Sequence, residues 1–284
     1  MRGARPFAAL ERAVARHVAP EAGETLVAAV SGGPDSVALG ALLVRAAVGA
    51  GATVVLAHVD HGIRRGALQD EAVTLALGAT LGARVRTAAL PPGPRDEARL
   101  RDGRYAALAR LARAAGARRI FTGHHARDQA ETVLLALLRG TGPDGLCGMA
   151  PVRVFEDLEL HRPLLAVEPA DLRAYCAAEH LAYALDPTNA DPAYRRNAVR
   201  DALAGLRPQF PHLDAAIARC AAILREERAA TPRARIRTDL RAAVAARAGL
   251  RDVPFERLDA VADAIERAAP GRHFLRRGVE VIVE

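Results

Sequence analysis

Short apolar runs rich in β-branched residues punctuate the first two thirds of the chain, at Thr25 to Val30, Thr53 to Val59, Arg84 to Ala89 and Arg118 to Thr122. Each is followed by a loop and then by a segment with helical apolar spacing, so the pattern predicts strands alternating with helices. Alternation of that kind makes an α/β fold, a parallel sheet with helices on both faces that binds ligands outside the carboxyl ends of its strands. Ahead of the first strand, Phe7, Leu10, Val14 and Val18 stand among Arg and Glu and predict an amphipathic helix. That helix lacks the apolar block and cleavage site of a signal peptide. Charge interrupts the apolar runs, as at Arg45, short of the ~20 residues that cross a bilayer. A soluble, cytoplasmic protein is expected.

After Ala150 the pattern is less regular, with a polar hairpin expected around Glu156 to Leu158. A helix is predicted from Pro169, a good first-turn residue, towards Leu181. The stretch DPTNADPAYRRNAVR then holds two prolines and two capping candidates before a short helix. Beyond Pro208 and Pro211 the composition shifts to Ala, Arg and Glu at helical spacing, over Leu213 to Ala229, Leu240 to Ala248 and Phe255 to Ala268. Val279, Val281 and Val283 alternate as in a strand. The expected division is residues 1–212 and 213–284, the second a small helical domain ending in a short strand.

All 40 basic residues are Arg, against 33 acidic ones, for a formal charge of +7. Arginine suits phosphate and base stacking, but beside so much Ala it also reflects a compositional bias, and charge alone does not decide for nucleic acid. The missing lysine is informative in the negative. It excludes a Walker-type phosphate loop, a Schiff-base enzyme and any lysine nucleophile. Cys147, Cys176 and Cys220 are widely spaced, odd in number and without a C-x-x-C pair, which argues against a disulfide framework or a thiolate metal site. They read as small apolar fillers.

The first strand runs into SGGPDS, Ser31 to Ser36. A glycine-rich loop between strand and helix gathers backbone N–H groups and a helix N-terminus on one point, which favours an anion. Gly32 and Gly33 allow close approach, Pro34 opens the helix, and Ser31 and Ser36 offer hydroxyls. Asp35 would repel phosphate unless a cation lay between them, so the loop implies Mg²⁺ held by Asp35 together with phosphate oxygens. The plainer alternative is that Ser31 or Asp35 caps a helix after a Gly-Pro turn.

SGGPDS resembles the loop of the N-type ATP pyrophosphatases, which split ATP between its α and β phosphates and adenylate a carbonyl oxygen. Three more stretches, LAHVDHGIRRGALQDEA, TGHHARDQAETVLLALLRGTGPDGLCGM, and HRPLL followed by DPTNADPAYRRNAVR, are similar in order and spacing to the tRNA(Ile)-lysidine synthases. The resemblance covers roughly residues 20–215. It implies an adenine nucleotide alpha hydrolase-like, Rossmann-like catalytic domain over 1–212, and a tRNA-binding, substrate-specificity role for 213–284.

In GHHARDQAET, His125, Asp128 and Glu131 fall between the end of a strand and the start of a helix, with the two acids on one face. Taken alone this is equally a capping box, with Asp128 at the cap and Glu131 three residues on. The resemblance assigns His125, Asp128 and Glu131 to the active site beside Asp35. It places adenine at His58, largely through backbone contacts. For RNA or substrate it implies Arg64, Arg99 and Arg104, then Arg162, Asp186, Asn189, Arg196, Asn197 and Arg200. A solvated helix face accounts for the spacing of Arg99 and Arg104, and loop-forming or capping roles for Asp186 and Asn189. His61 is equally an ordinary loop histidine. Arg127 stands where many relatives carry an acidic or small polar residue, which speaks against metal binding there. The helical tail is shorter than in relatives with a second C-terminal domain.

The implied reaction joins L-lysine to C2 of the wobble cytidine of an isoleucine tRNA with a CAU anticodon, with ATP as co-substrate and Mg²⁺ as cofactor. The alternatives are tRNA 2-thiolation by a sibling enzyme, against which the lack of paired cysteines counts, and a nucleotide- or RNA-binding module without catalysis. No membrane partner is expected, and monomer and homodimer are both left open.

Overall fold

A computed structural model describes residues 7–60, 67–90, 97–184, 195–230, 232–248, 255–267, 270–276 and 279–283. By contacts the chain forms two compact units, Met1–Asp128 with Ala150–Asp191, and Gln129–Met149 with Pro192–Glu284. This contact division falls elsewhere than the compositional boundary expected near Pro208 and Pro211.

The first unit opens with helix α1 (Ala8–Val18), then strand β1 (Thr25–Ala29), α2 (Pro34–Ala50), β2 (Thr53–Asp60), α3 (Ala67–Leu81), β3 (Arg84–Ala89), α4 (Glu97–Ala114) and β4 (Arg119–Phe121). Helix α5 (Ala126–Leu138) begins in this unit and continues into the second, which also holds α6 (Pro143–Leu146). The first unit resumes with β5 (Val152–Phe155), β6 (Leu158–His161) and α7 (Pro169–Ala178).

Its sheet has the order β3-β2-β1-β4-β6-β5, parallel except for the β5–β6 hairpin. The expected hairpin is therefore present, turning at Glu156 and Asp157. Its second strand also joins the main sheet beside β4, which local pattern does not reveal.

Residues alternate between the two faces as a doubly covered sheet requires. Leu26, Ala28, Val54, Leu56 and Phe121 pack with α1, α2 and α7, whereas Val27, Val55, Ala57, Val59 and Ile120 pack with α4. Helix α1 seats Val14 and Val18 in the first of these cores, as its amphipathic pattern predicted. Helix α2 is apolar nearly all round and correspondingly buried from Ser36 to Leu43. The topology reverses between β1 and β4: α2 and α3 carry the chain outward to β2 and β3, and α4 returns it to β4. The carboxyl ends of β1 and β4 thus flank a switch-point crevice.

The second unit continues with α8 (Arg195–Leu206), α9 (Leu213–Ala230), α10 (Pro232–Ala248), α11 (Phe255–Glu266), β7 (Gly271–Arg276) and β8 (Val279–Val283). Val199 and Leu203 of α8 pack on Ala130, Leu134 and Leu135 of α5 and on Leu213 and Ile217 of α9. A separate core joins Leu240 and Val244, Leu258 and Val261, and Leu275 and Val281. The closing strand predicted from alternating valines is one half of an antiparallel hairpin; its partner β7, GRHFLR, has only one side buried in that core and lacks the valine signal. Cys147 and Cys176 are buried as fillers should be, but Cys220 is exposed and corrects that expectation. No helix among the described residues is long and apolar enough to cross a membrane.

Leu56 is fully buried between β2 and the helices of the first core, so Leu56→Ala should cost about 2–5 kcal/mol in urea unfolding. Val48→Ala, at a position 74% exposed, should stay within about 0.5 kcal/mol of wild type in the same measurement.

Candidate functional site

The loop after β1 is held by its own hydroxyls. Ser36 donates to the Gly33 carbonyl (2.9 Å), and its oxygen accepts from the Ser31 N–H (3.0 Å) and the Ser31 hydroxyl (3.2 Å). Ser36 is therefore buried and shapes the loop, while Ser31 stands exposed at its rim. Gly33 occupies the cap position of α2 with no side-chain capping bond, so neither Ser31 nor Asp35 caps the helix; Pro34 sits in its first turn. Gly32 has φ +89°, and a Cβ there would lie 2.9 Å from Asp70 Oδ1. Asp70, in the first turn of α3, is a carboxylate at the loop that the sequence reading passed over. Gly32 also accepts the Ala184 N–H at 2.9 Å.

His58 is 3% exposed and its ring is turned inward, with Nδ1 2.9 Å from the Val30 carbonyl. The ring ties β2 to the end of β1, leaving backbone as what this position presents.

Across the crevice, β4 is followed by Thr122, Gly123, His124 and His125. A Cβ on Gly123 would come within 3.1 Å of the Asp35 carbonyl, so any larger residue would have to shift this turn against the start of α2 by a few tenths of an ångström. Sequence reasoning missed Gly123; the available signal was a glycine directly after a buried strand.

His125 precedes α5 and forms a reciprocal pair with Asp128: the His125 N–H donates to Asp128 Oδ2 (3.1 Å), and the Asp128 N–H donates to His125 Nδ1 (3.3 Å). The capping box thus exists, three residues earlier than expected, with His125 at the cap and Asp128 three residues on. Because Nδ1 accepts, the proton of a neutral ring lies on Nε2, which faces Asp35 Oδ2 at 3.4 Å. Burial works against the charged ring, but the hydrogen bond to Asp35 and the charges of Asp128 and Asp35 outweigh it and Arg127, and the His125 pKa is raised. Asp35 Oδ1 is buried without a hydrogen-bond partner.

The other expected residues divide. Arg162 is 6% exposed, donates to the Ala150 carbonyl at 2.8 Å, and its pKa is lowered, burial outweighing the nearby Tyr105. It is an interior strut at the end of β6. Arg104 is half-buried with its guanidinium 5.3 Å from the Tyr105 ring centre, and Arg99 is exposed on the same helix. Arg64, His61, Asp186 and Asn189 lie outside the described residues.

In the second unit, Glu131 is 1% exposed. Its Oε2 accepts from Arg196 Nε (2.8 Å) and its Oε1 from Arg200 Nε (2.9 Å); Asn197 Oδ1 accepts from Arg200 at 3.4 Å. Burial alone would raise the Glu131 pKa, but the hydrogen bonds and charges of Arg200 and Arg196 hold it below its ordinary value. The stretch after α5 closes on itself: the Gln129 side-chain amide donates to the Met149 carbonyl (3.0 Å) and accepts its N–H (2.8 Å). At Gly148, φ +59°, a Cβ would meet that amide.

A family model described as PP-loop domain matches residues 7–206. The chain belongs to the PP-loop domain family. This PP-loop chain is 38% identical over 286 residues to a tRNA(Ile)-lysidine synthase of Symbiobacterium thermophilum, a match spanning 94% of the chain and 57% of that protein. It is 46% identical over 203 residues to one of Salinispora arenicola, spanning 69% and 60%. The chain thus spans less than two thirds of the length of these relatives. In fold it is similar to a U34-tRNA thiolase from Methanococcus maripaludis, with a TM-score of 0.65 at 16% identity over 76% of this chain and 77% of that one.

Gly32→Ala should destabilise the fold by about 1–3 kcal/mol, because a left-handed conformation and the contact with Asp70 both oppose a Cβ; urea unfolding against wild type checks this. The depressed Glu131 carboxylate contributes stability that is complete above its unfolded value of 4.5 and is lost as pH falls through the lower folded value. Urea melts should therefore show wild type losing more stability than Glu131→Gln as pH is lowered from neutrality past that window.

Proposed function

We propose that this PP-loop chain ligates L-lysine to C2 of cytidine 34 in an isoleucine tRNA with a CAU anticodon, forming lysidine, AMP and pyrophosphate. The observation that carries the reading is the meeting of the SGGPDS loop with Asp35, His125 and Asp128 at the switch point of the sheet. The named relatives supply the substrate class.

Oxygen on C2 of cytosine is a poor leaving group. It attacks the α-phosphorus of ATP, pyrophosphate leaves, and the base becomes adenylated. The ε-amine of lysine then attacks C2, the C–O bond breaks, AMP departs with the oxygen, and the amine loses a proton. At pH 7 that amine, with a reference pKa of ~10.4, costs about 4–5 kcal/mol to present neutral. Asp128 is the carboxylate we assign to binding the ammonium and accepting its proton. His125 bridges Asp128 and Asp35, and so sets the first turn of α5 against that of α2. Loop N–H groups around Gly32 and Gly33 receive phosphate oxygens, and backbone beside His58 receives adenine.

Asp35 fits Mg²⁺: its buried Oδ1 lacks a partner, and no cluster of three protein ligands occurs among the described residues, as suits an ion completed by phosphate oxygens. Held there, Mg²⁺ would neutralise charge on the departing pyrophosphate. We assign residues 1–212 to catalysis, in keeping with a family match that ends at residue 206, and residues 213–284 to gripping tRNA in the cytoplasm. Thiolation has less support, since the three cysteines are free, two of them buried, and none is paired in sequence.

Purified protein with ATP, Mg²⁺, lysine and the CAU transcript should release AMP and make lysidine, and Asp35→Ala should be slower by about 100-fold or more. Equal rates in the two proteins would sink the mechanism. Thiolated tRNA formed from a sulfur donor without lysine would replace it, and equal use of a methionine tRNA would refute the stated specificity.

A further inference from the structure

The peptide group that joins Val30 to Ser31 is held on both of its sides. Pairing of β1 with β2 ends at Ala29 and Ala57, with one further bond from the Val30 N–H to the Ala57 carbonyl at 2.8 Å. The Val30 carbonyl is satisfied by a side chain instead, for Nδ1 of the buried His58 lies 2.9 Å from it. A carbonyl only accepts, so Nδ1 carries the proton and donates. On the other side of the same group, the Ser31 N–H donates to Ser36 Oγ at 3.0 Å. A peptide group is planar, so one bond on its oxygen and one on its nitrogen together fix the angle at which the chain leaves β1 and enters SGGPDS.

The ring is braced from α3. Thr74, fully buried, places its hydroxyl 3.5 Å from His58 Nδ1 and donates to the Asp70 carbonyl at 3.0 Å. Its proton is engaged there, so toward the ring it presents an acceptor, which suits a protonated Nδ1. The same turn of α3 borders the loop at Gly32 through Asp70. We propose that His58 is a positioning residue for the phosphate loop. Through the Val30–Ser31 peptide its ring aims the N–H groups of Gly32 and Gly33, and so acts on phosphate rather than on adenine. The inference rests on the phosphate-loop part of the ligation reading and does not need the tRNA product.

Binding of inorganic pyrophosphate and of ATP, each with Mg²⁺, is measured by calorimetry for wild type, His58→Asn, His58→Gln and His58→Leu, beside steady-state AMP release. The Asn amide nitrogen falls where Nδ1 lies, the Gln nitrogen falls near the Nε2 position, and Leu has the shape of Asn without a donor. His58→Gln and His58→Leu should weaken pyrophosphate and ATP by the same factor, about tenfold, and His58→Asn should stay within about twofold of wild type. KM for ATP should rise by that factor while KM for lysine holds, whereas a loss of folded protein alone would lower kcat at unchanged KM. Ser36→Ala, which releases the N–H side of the same peptide, should cost less affinity in His58→Leu than in wild type. Weakened ATP with unchanged pyrophosphate would make the ring a reader of adenine and overturn the proposal. Equal losses in the Asn, Gln and Leu variants, or none in any of them, would overturn it too, as would a Ser36→Ala loss of the same size in both backgrounds. His58→Leu against His58→Asn decides even if His58→Gln fails to fold. Wild type that binds both ligands without making lysidine would defeat the ligation reading alone; wild type that binds neither would defeat both.

Discussion

Parallel pairing of β1 with β4 fixes the geometry on which the nucleotide-binding end depends. Strands aligned in the same direction bring their carboxyl ends to one edge, and the order β2-β1-β4 places the SGGPDS loop and the Thr122–His125 turn side by side across the reversal of the sheet. Glycine eases so close an approach of backbones. Gly123 meets the start of α2 directly, and Gly32 lies under Asp70 in a left-handed conformation. The serines then serve the loop before they serve any ligand, for Ser36 spends its donor on Gly33.

Burial of charge governs what the acids can do. At the switch point, His125 lies between Asp35 and Asp128, and the electrostatic support of two carboxylates exceeds the desolvation of its ring. Within the second unit the balance has the opposite composition, one carboxylate between two guanidiniums, and Glu131 stays ionised despite its burial. Two acids three residues apart on one helix thus have different partners. Arg162 follows the same rule from the cationic side: buried at the end of β6 and bonded to the Ala150 carbonyl, it braces the chain instead of meeting solvent.

The alternating strands, the helix that seats Val14 and Val18, and the loop at Ser31–Ser36 were legible because hydrophobic period and glycine placement are local signals. The placement of β6 beside β4 was not, since strand order is a matter of long-range pairing between segments of similar composition. Nor was β7, whose hairpin buries one side and so lacks an apolar run. Spacing put Asp128 and Glu131 on one face of α5, and it led to a capping box in the wrong register, because the cap is a histidine whose ring nitrogen takes the role that oxygen usually fills.

The sequence by itself determined the α/β alternation, the residues of the phosphate loop, and the absence of lysine or paired cysteine chemistry, for these depend on residue type and short spacing. Only the tertiary structure decided that Gly123 and Asp70 border the loop, that Ser36 and His58 face inward, and that Arg196 and Arg200 come from α8 to claim Glu131. Apart from those of Ser36, which lie within its own loop, these are contacts between residues tens of positions apart. Their existence depends on how the chain closes on itself and on which charges find a partner when water is excluded.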